Sequence, residues 1–335
     1  MKFSFKCIYI LLITICSTQI AMAQDDWGQE RAEALEKITV ESLHREISFL
    51  TDSLCDGRAT GTRGNIEAAF WIARKFKSAG LLPLGNGYGL HFTTQNGTTA
   101  HNIAGMLPGA YSVHREDYII VGAHFDHLGQ LSGKLYPGAD ANASGTVAMV
   151  TIADMLASMR EMGRVYDSNI IFVAFDAKEM NMAGSQALWK LIDYGLLTDP
   201  WTGKVISKEK VRLMVNIDQI GSSLSPIRSN RKDYMLMLGN WSLDTSKRDN
   251  IDICNLTSGI GLDLCQSYYG SQAFTETFYR LSDHKVFVEN KIPSVFFTSG
   301  ITMNTNKTWD RAENLDIPVL RKRIVLIFHW LESML

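Results

Sequence analysis

The sequence lacks most of the features that mark specialised classes of protein. No low-complexity tract interrupts its 335 residues, and the formal net charge is only −2. Lysine and arginine form no stripe along the chain, so nothing indicates a nucleic-acid partner. Neither a G-x-G-x-x-G stretch opening a helix nor a G-x-x-x-x-G-K stretch occurs, so no motif supports nucleotide binding. These absences leave an ordinary globular protein.

Long apolar runs are scarce as well. After the N-terminus, no segment is long and apolar enough to cross a bilayer, so the mature chain should have no transmembrane segment. The N-terminus itself, residues 1–23, is typical of a secretory signal peptide. Lys2 and Lys6 precede a short apolar run, and Ala21-Met22-Ala23 is an A-x-A cleavage site.

Export would place the mature chain in the periplasm or outside the cell, starting near Gln24. A lipid anchor at Cys16 is the alternative. Ile15 disfavours it, because a small residue normally precedes a lipidated cysteine.

Three cysteines remain after signal removal: Cys55, Cys254 and Cys265. An oxidising compartment permits one bridge, and Cys254 with Cys265 is the plausible pair because the two are close in sequence. Three buried free thiols are the alternative.

The pattern of apolar residues predicts strands alternating with helices. Strands are predicted at 101–109, 117–126, 168–177, 211–218, 233–239 and 292–300. Helices are predicted over about 39–84, broken by a Gly/Arg loop at 55–65, and over 145–159, from 183 onward, and over 317–333. This alternation indicates a single α/β domain over residues 24–335, with a mostly parallel, mixed sheet flanked by helices on both faces.

Metal-type side chains follow the predicted strands, where sites form in such sheets. Singly these residues are weak signals, because a lone histidine or aspartate at a strand end usually serves local structure. Together, imidazole and carboxylate groups from several parallel strands can converge on one divalent cation. The residues are His124, Asp126, His127, Asp140, Asp176, Glu179, Asp218, Asp283 and His284. The His-x-Asp spacing also lets Asp126 hold the imidazole of His124.

An ordered set of segments then makes the chain recognisable. They are "LCDGRATGTRGNIEAAFWIARKFKSAGLLPLG", "GAHFDHLG", "PGADANASG", "AFDAKEMNMAGSQAL", "NIDQIG" and "SDHKVF" with "IPSVFFTSG". In order and spacing, this set resembles the zinc exopeptidase family of bacterial leucyl aminopeptidases, glutamate carboxypeptidase, animal-type glutaminyl cyclases and the transferrin receptor ectodomain. The resemblance covers nearly the whole mature chain. It implies the zinc aminopeptidase fold more firmly than it implies activity.

The resemblance implies six metal-site positions, of which three are kept. His124, Glu179 and Asp218 match family ligands. The bridging aspartate is replaced by Ala141, which follows Asp140. The remaining two positions are also altered: Lys178 stands where active members carry the glutamate base, and Asn306 stands where they carry the last histidine ligand.

The kept residues are too few for the family's chemistry. One metal position keeps His124 and Asp218, the other only Glu179, whereas catalytic zinc normally has three protein ligands and a water. Zinc is therefore expected to be absent or weakly bound, unless Asp140 substitutes as a ligand. We expect Lys178 to occupy part of the metal space as a salt-bridged cation; the alternative is that it points to solvent.

The sequence therefore favours a catalytically inactive or strongly impaired member of the family that binds a peptide or protein. One alternative is an active one-metal aminopeptidase using His124, Asp218 and a recruited acid such as Asp140. A glutaminyl-cyclase-like enzyme is a further alternative. By the resemblance, such an enzyme uses the Asp, Glu and His metal positions, of which this chain keeps only Glu179. Asp283 and His284 match a motif beside the family's cleft, and a role in loop structure stays open for them.

Overall fold

The computed structural model describes residues 27–109, 116–224 and 230–335. The predicted signal peptide, residues 1–23, and the alternative lipidation site, Cys16, lie outside the described residues. Across the described ranges, no helix combines the length and the apolar character needed to cross a bilayer.

A large mixed sheet forms the centre of the fold. Its order is β1-β3-β7-β4-β8-β11-β9-β10, β2 also pairs with β3, and β5 with β6 forms a separate hairpin. The strands are β1 Leu82–Pro83, β2 Gly89–Thr93, β3 Thr99–Leu107, β4 Tyr118–His124, β5 Gly129–Leu131, β6 Lys134–Tyr136, β7 Asn169–Phe175, β8 Val211–Ile217, β9 Tyr234–Leu238, β10 Asp263–Cys265 and β11 Ser294–Thr298.

Strand direction decides where the site lies. The four central strands, β7, β4, β8 and β11, are parallel, so their carboxyl ends meet at one edge of the sheet. On either side of this group, β3 runs antiparallel to β7, and β9 runs antiparallel to β11. The predicted mostly parallel, mixed sheet is confirmed.

Helices cover both faces of the sheet, as predicted. They are α1 Gly28–Glu36, α2 Val40–Thr51, α3 Arg63–Ser78, α4 Gly145–Glu161, α5 Ala183–Asp193, α6 Asn250–Thr257, α7 Gln272–Phe278, α8 Lys285–Glu289 and α9 Ile317–Met334. Helices α2, α3, α4 and α9 pack in one core, whereas α5 and α8 pack in the core on the opposite face.

The central strands bury both faces. In β7, Phe172 and Ala174 point into the first core, and Val173 and Phe175 point into the second. Successive side chains of a strand point to opposite faces, so burial on both sides requires an unbroken apolar run. This explains why residues 168–177 carry no polar alternation.

Local capping sets the ends of the main helices. The Thr39 hydroxyl accepts from the Ser42 amide at the start of α2, and the Thr62 hydroxyl accepts from the Asn65 amide at the start of α3. Asp316 caps α9 in the same way. Such caps satisfy N–H groups that have no partner in the first helical turn.

Some short elements were not predicted. Strand β2, the β5–β6 hairpin and helix α6 lie in segments without a clear apolar period. In addition, the turn-rich segment 81–89 contains β1 and the start of β2.

Cys55, Cys254 and Cys265 are all free thiols, so the proposed Cys254–Cys265 bridge is wrong; of the three thiols that the alternative expected to be buried, Cys55 is buried and the other two are partly exposed. The Cys265 thiol donates instead to the Ser267 carbonyl, 2.9 Å away. Cys254 lies on α6 and packs partly buried against the main core.

Candidate functional site

The candidate site lies where β4, β7 and β8 end. His124 is the last residue of β4 and pairs in register with Phe175 of β7. Asp218 directly follows β8, the neighbour of β4 on its other side. Because parallel neighbours end at the same edge, the sequence brings these side chains together without any contribution from the loops.

His124 and Asp218 form a buried pair. The Nε2 atom of His124 lies 3.2 Å from Oδ1 of Asp218, and Oδ2 of Asp218 accepts from the Ser282 hydroxyl at 2.7 Å. The His124 side chain is fully buried, and that of Asp218 is nearly so. Two residues predicted as metal ligands are therefore in direct contact with each other.

Charge stabilises this pair despite its burial. Burial opposes ionisation of His124, but the Asp218 carboxylate outweighs it and raises the pKa of His124 to about 10. Burial likewise opposes the Asp218 charge, but His124 and Lys178 outweigh it and hold the pKa of Asp218 below its usual range. At neutral pH the pair is an imidazolium and a carboxylate.

Asp126 orients the loop that follows β7, and not only the imidazole of His124. Its two carboxylate oxygens accept from the backbone amides of Lys178, at 3.0 Å, and Glu179, at 3.1 Å. The Nδ1 atom of His124 lies 3.1 Å from the Asp126 backbone carbonyl and 3.6 Å from its carboxylate. The carboxylate predicted to hold His124 thus fixes the backbone that carries Lys178 and Glu179.

Lys178 points into the site. Its Nζ atom lies 3.1 Å from Oε1 of Glu179, and the lysine side chain is only 16% exposed. Burial lowers the pKa of Lys178, but the charges of Asp218 and Glu179 outweigh this and raise it above its usual value. The position where the resemblance implies a general base is held by a paired ammonium group.

The turn that carries Asp140 and Ala141 is held from outside the site. Oδ1 of Asp140 accepts from the Gly221 amide at 2.7 Å and lies 3.3 Å from the Ser144 hydroxyl. Among the described residues, no contact joins Asp140 to His124, Glu179 or Asp218.

Burial and the neighbouring Asp310 charge raise the pKa of Asp140 to about 7. The next residue, Ala141, is buried and offers only a methyl group.

Asn306 lies on a loop that borders the site. It is exposed and has a positive φ of 57°, a conformation that asparagine tolerates well. Its neighbour Thr305 donates to the side chain of Gln219 at 2.8 Å, which places the loop beside the residue that follows Asp218.

Two supporting residues were missed by the sequence reasoning. The buried carboxylate of Asp310 accepts from the amides of Asp140 and Ala141, and so fixes their turn. The buried guanidinium of Arg58 donates to the carbonyls of Phe125, Pro137 and Gly138 on the loops around the site. The Gly/Arg loop at residues 55–65 was the available signal for Arg58. For Asp310, the signal was an acidic residue four positions after Asn306.

Asp176 serves structure, whereas neither ring nitrogen of His127 has a hydrogen-bond partner among the described residues. Asp176 accepts from the Thr60 hydroxyl, the Asn65 amide and the His101 backbone, so its oxygens are already engaged. His127 is buried, and burial holds its pKa well below the usual value.

Asp283 and His284 differ in their surroundings. Both oxygens of the buried Asp283 carboxylate lack a hydrogen-bond partner in the described part of the chain, and burial raises its pKa to about 7. The ring of His284 packs between Tyr279 and Phe296, its Nε2 atom contacts the Tyr279 carbonyl, and burial lowers its pKa to about 4. His284 therefore has a packing role, whereas the charge of Asp283 acts on Lys178.

The residues present do not fit a two-zinc centre. Within the described residues, no group of three His, Cys, Asp or Glu side chains is arranged to hold a metal ion. His124 and Asp218 pair with each other, and Glu179 pairs with Lys178. A catalytic zinc ion needs three such ligands around one point.

A curated protein resembles part of this chain in sequence. Aminopeptidase YwaD of Bacillus subtilis (strain 168) is 30% identical over 132 residues, which are 39% of this chain and 24% of that protein. The chain thus matches about a quarter of the length of this curated relative.

Two solved structures share the fold. BSAP, a zinc aminopeptidase from Bacillus subtilis, has a TM-score of 0.64 at 14% identity, covering 88% of this chain and 95% of that one. The glutaminyl cyclase of Porphyromonas gingivalis has a TM-score of 0.65 at 16% identity, covering 89% and 99%. At such identities the likeness establishes the fold alone.

Residues 102–329 match the family model described as "Peptidase family M28". The predicted resemblance to zinc aminopeptidases and glutaminyl cyclases is confirmed at the level of family and fold. Since the matched residues are more than half of its length, the chain belongs to peptidase family M28.

Proposed function

We propose that this protein is a non-catalytic or strongly impaired member of its family, which is exported and binds a peptide or protein segment. The observation that carries the proposal is the ammonium group of Lys178, 3.1 Å from the carboxylate of Glu179. By the resemblance, a general base belongs at the first position and a metal ligand at the second. A protonated lysine cannot take a proton from water.

Charge repulsion also opposes a metal ion at Glu179. A dication using this carboxylate would lie about 4 Å from the ammonium and be repelled by about 8 kcal/mol, taking an effective dielectric of about 20. Structural zinc sites bind with about 10–16 kcal/mol in total. Repulsion of this size offsets much of the affinity that a complete site would have.

The replacement of the bridging aspartate by Ala141 removes a second contribution to metal binding. By the resemblance, its position supplies the carboxylate shared by both metal ions, and a methyl group has no donor atom. The neighbouring Asp140 keeps its buried Oδ2 without a hydrogen-bond partner among the described residues, but its Oδ1 is held by the Gly221 amide, and no contact joins its carboxylate to His124 or Asp218. The one-metal alternative, with His124, Asp218 and Asp140 as ligands, therefore requires local rearrangement.

The glutaminyl-cyclase alternative faces the same shortage. By the resemblance it needs the altered Asp and His positions, now Ala141 and Asn306, in addition to Glu179.

Exposed apolar side chains beside the site support peptide or protein binding. Met303 is 81% exposed and Trp309 is 66% exposed, both on the loop that carries Asn306. Large exposed apolar side chains grouped near a cleft are typical of interaction surfaces.

Reversion tests the proposal directly. The triple variant Ala141→Asp, Lys178→Glu, Asn306→His restores the implied ligands and base. We expect it to bind zinc, measured by elemental analysis after purification without chelator, while the unaltered protein binds far less than one ion per chain. A matched charge reversal at a surface ion pair, Lys208→Glu, should leave zinc content unchanged.

Equal, stoichiometric zinc in the triple variant and the unaltered protein would contradict the proposal. A fluorogenic leucyl substrate, assayed in parallel, would then show whether the native site is active.

Export is tested separately. We expect N-terminal sequencing of protein from the periplasm or medium to begin near Gln24. A mature chain that begins with Met1 would contradict export through a cleaved signal.

A further inference from the structure

A cavity of about 630 Å³ lies between β10, α7 and the segment that follows β9. Its lining includes Trp241, Gln266, Glu276 and Arg280, and it shares no residue with the His124 cluster. None of the residues that the family resemblance marks lies in it. Its lining combines an aromatic ring with planar polar side chains, and this combination determines what it can bind.

The aromatic wall is held in place. The ring of Trp241 meets that of Tyr279 edge-on with centroids 5.1 Å apart, and Tyr279 is anchored by its hydroxyl, which donates to the Ser294 carbonyl at 2.6 Å. Even so, Trp241 remains 44% exposed. An indole that is fixed yet exposed offers a preformed apolar surface at little entropic cost.

The polar groups around the ring are partly preoriented. Asn240 donates to Oε1 of Gln266 at 2.7 Å, which fixes the amide and leaves its NH₂ group free to donate. Gln272 donates to Oε1 of Glu276 at 3.0 Å, which leaves Oε2 as an acceptor. The cavity thus offers a neutral donor and a charged acceptor side by side.

Arg280 completes the set. Its side chain is exposed and, among the described residues, its guanidinium has no hydrogen-bond or ion-pair partner. The positive charge of Arg280 balances the negative charge of Glu276, so the cavity does not select a net anion or cation. A fitting ligand has one apolar face and several hydroxyl groups that both donate and accept.

We propose that this cavity binds a pyranose ring of a carbohydrate. The C–H face of the sugar packs on Trp241, and neighbouring hydroxyl groups pair with Gln266, Glu276 and Arg280. A volume of about 630 Å³ falls within the usual range for small-molecule sites, about 300–1,000 Å³. The proposal is independent of whether the His124 cluster binds zinc.

Saturation-transfer NMR tests the assignment on the full mature chain. The probes are the methyl pyranosides of glucose, galactose, mannose and N-acetylglucosamine. We expect saturation of ring protons in at least one of them, and Trp241→Ala should weaken that binding about tenfold. Glu276→Ala and Arg280→Ala, both at exposed positions, should each weaken it several-fold without changing the melting temperature.

Two other exposed tryptophans serve as controls. Trp201→Ala should leave sugar binding unchanged, and Trp309→Ala, beside the candidate site, should do the same. The proposal is overturned if none of the four pyranosides receives saturation. Binding that survives Trp241→Ala, Glu276→Ala and Arg280→Ala would overturn it equally, because the sugar would then lie elsewhere.

Discussion

Replacing Lys178 by methionine tests whether the ion pair of Lys178 with Glu179 stabilises the folded protein. Methionine keeps the length of the side chain but removes the ammonium. At 3.1 Å the ammonium attracts the Glu179 carboxylate by about 5 kcal/mol with an effective dielectric of about 20. Methionine avoids the desolvation of the ammonium, which offsets part of this loss, so we expect the free energy of unfolding to fall by about 2–3 kcal/mol.

Urea unfolding of Lys178→Met beside Lys208→Met gives the measurement a matched control. Lys208 lies 2.8 Å from Asp193, but both side chains are well exposed. Water and salt screen that pair, so we expect Lys208→Met to change stability within experimental error. The effect of Lys178→Met should also persist in about 1 M NaCl, because buried pairs are screened much less than exposed ones.

The reasoning fails if Lys178→Met loses less than about 0.5 kcal/mol, the size of a surface pair. Lys178 would then point to solvent, as the alternative from the sequence holds. A gain in stability would show that desolvation outweighs attraction in this cluster.

Three further predictions concern the frame of the site. Arg58→Met should lower the free energy of unfolding by at least about 3 kcal/mol, because four buried carbonyls lose their donor; urea titration checks this, and a loss below 1 kcal/mol would contradict it. Asp310→Ala should lower it by about 1–3 kcal/mol through the unpaired amides of Asp140 and Ala141, whereas exposed Glu313→Ala should not. Because burial lowers the pKa of His284 to about 4, the unfolded chain binds the extra proton first as pH falls below about 6.5. The contribution of His284 to stability should thus drop by about 3 kcal/mol between pH 6.5 and 4, and His284→Phe should remove this part of the pH dependence; equal pH profiles of the two proteins would refute the assignment.

The central strands of the sheet could be predicted because burial on both faces requires a continuous apolar run in the sequence. Residues 168–177 and 211–218 are nearly continuous apolar runs, and they form β7 and β8. The antiparallel directions of β3 and β9 could not be predicted, because direction depends on the path of the connecting segments. Strand β2 was missed because its residues are only partly buried and show no strong alternation.

The convergence of His124 and Asp218 could also be predicted, since both follow parallel neighbours. The role of Asp126 could not, because the sequence does not show which backbone amides will need an acceptor. The same holds for Arg58 and Asp310, whose partners are backbone groups of distant loops. The direction of the Asp140 carboxylate depends on the turn around it, and no spacing rule predicts that.

The zinc content of the native protein tests the central claim most directly. The chain should be purified from its exported form without chelator, analysed for metal, and titrated with zinc by calorimetry. We expect far less than one zinc ion per chain and no tight binding isotherm, because His124, Glu179 and Asp218 do not complete a three-ligand site. One or two tightly bound zinc ions per chain, together with hydrolysis of a leucyl substrate, would contradict the account.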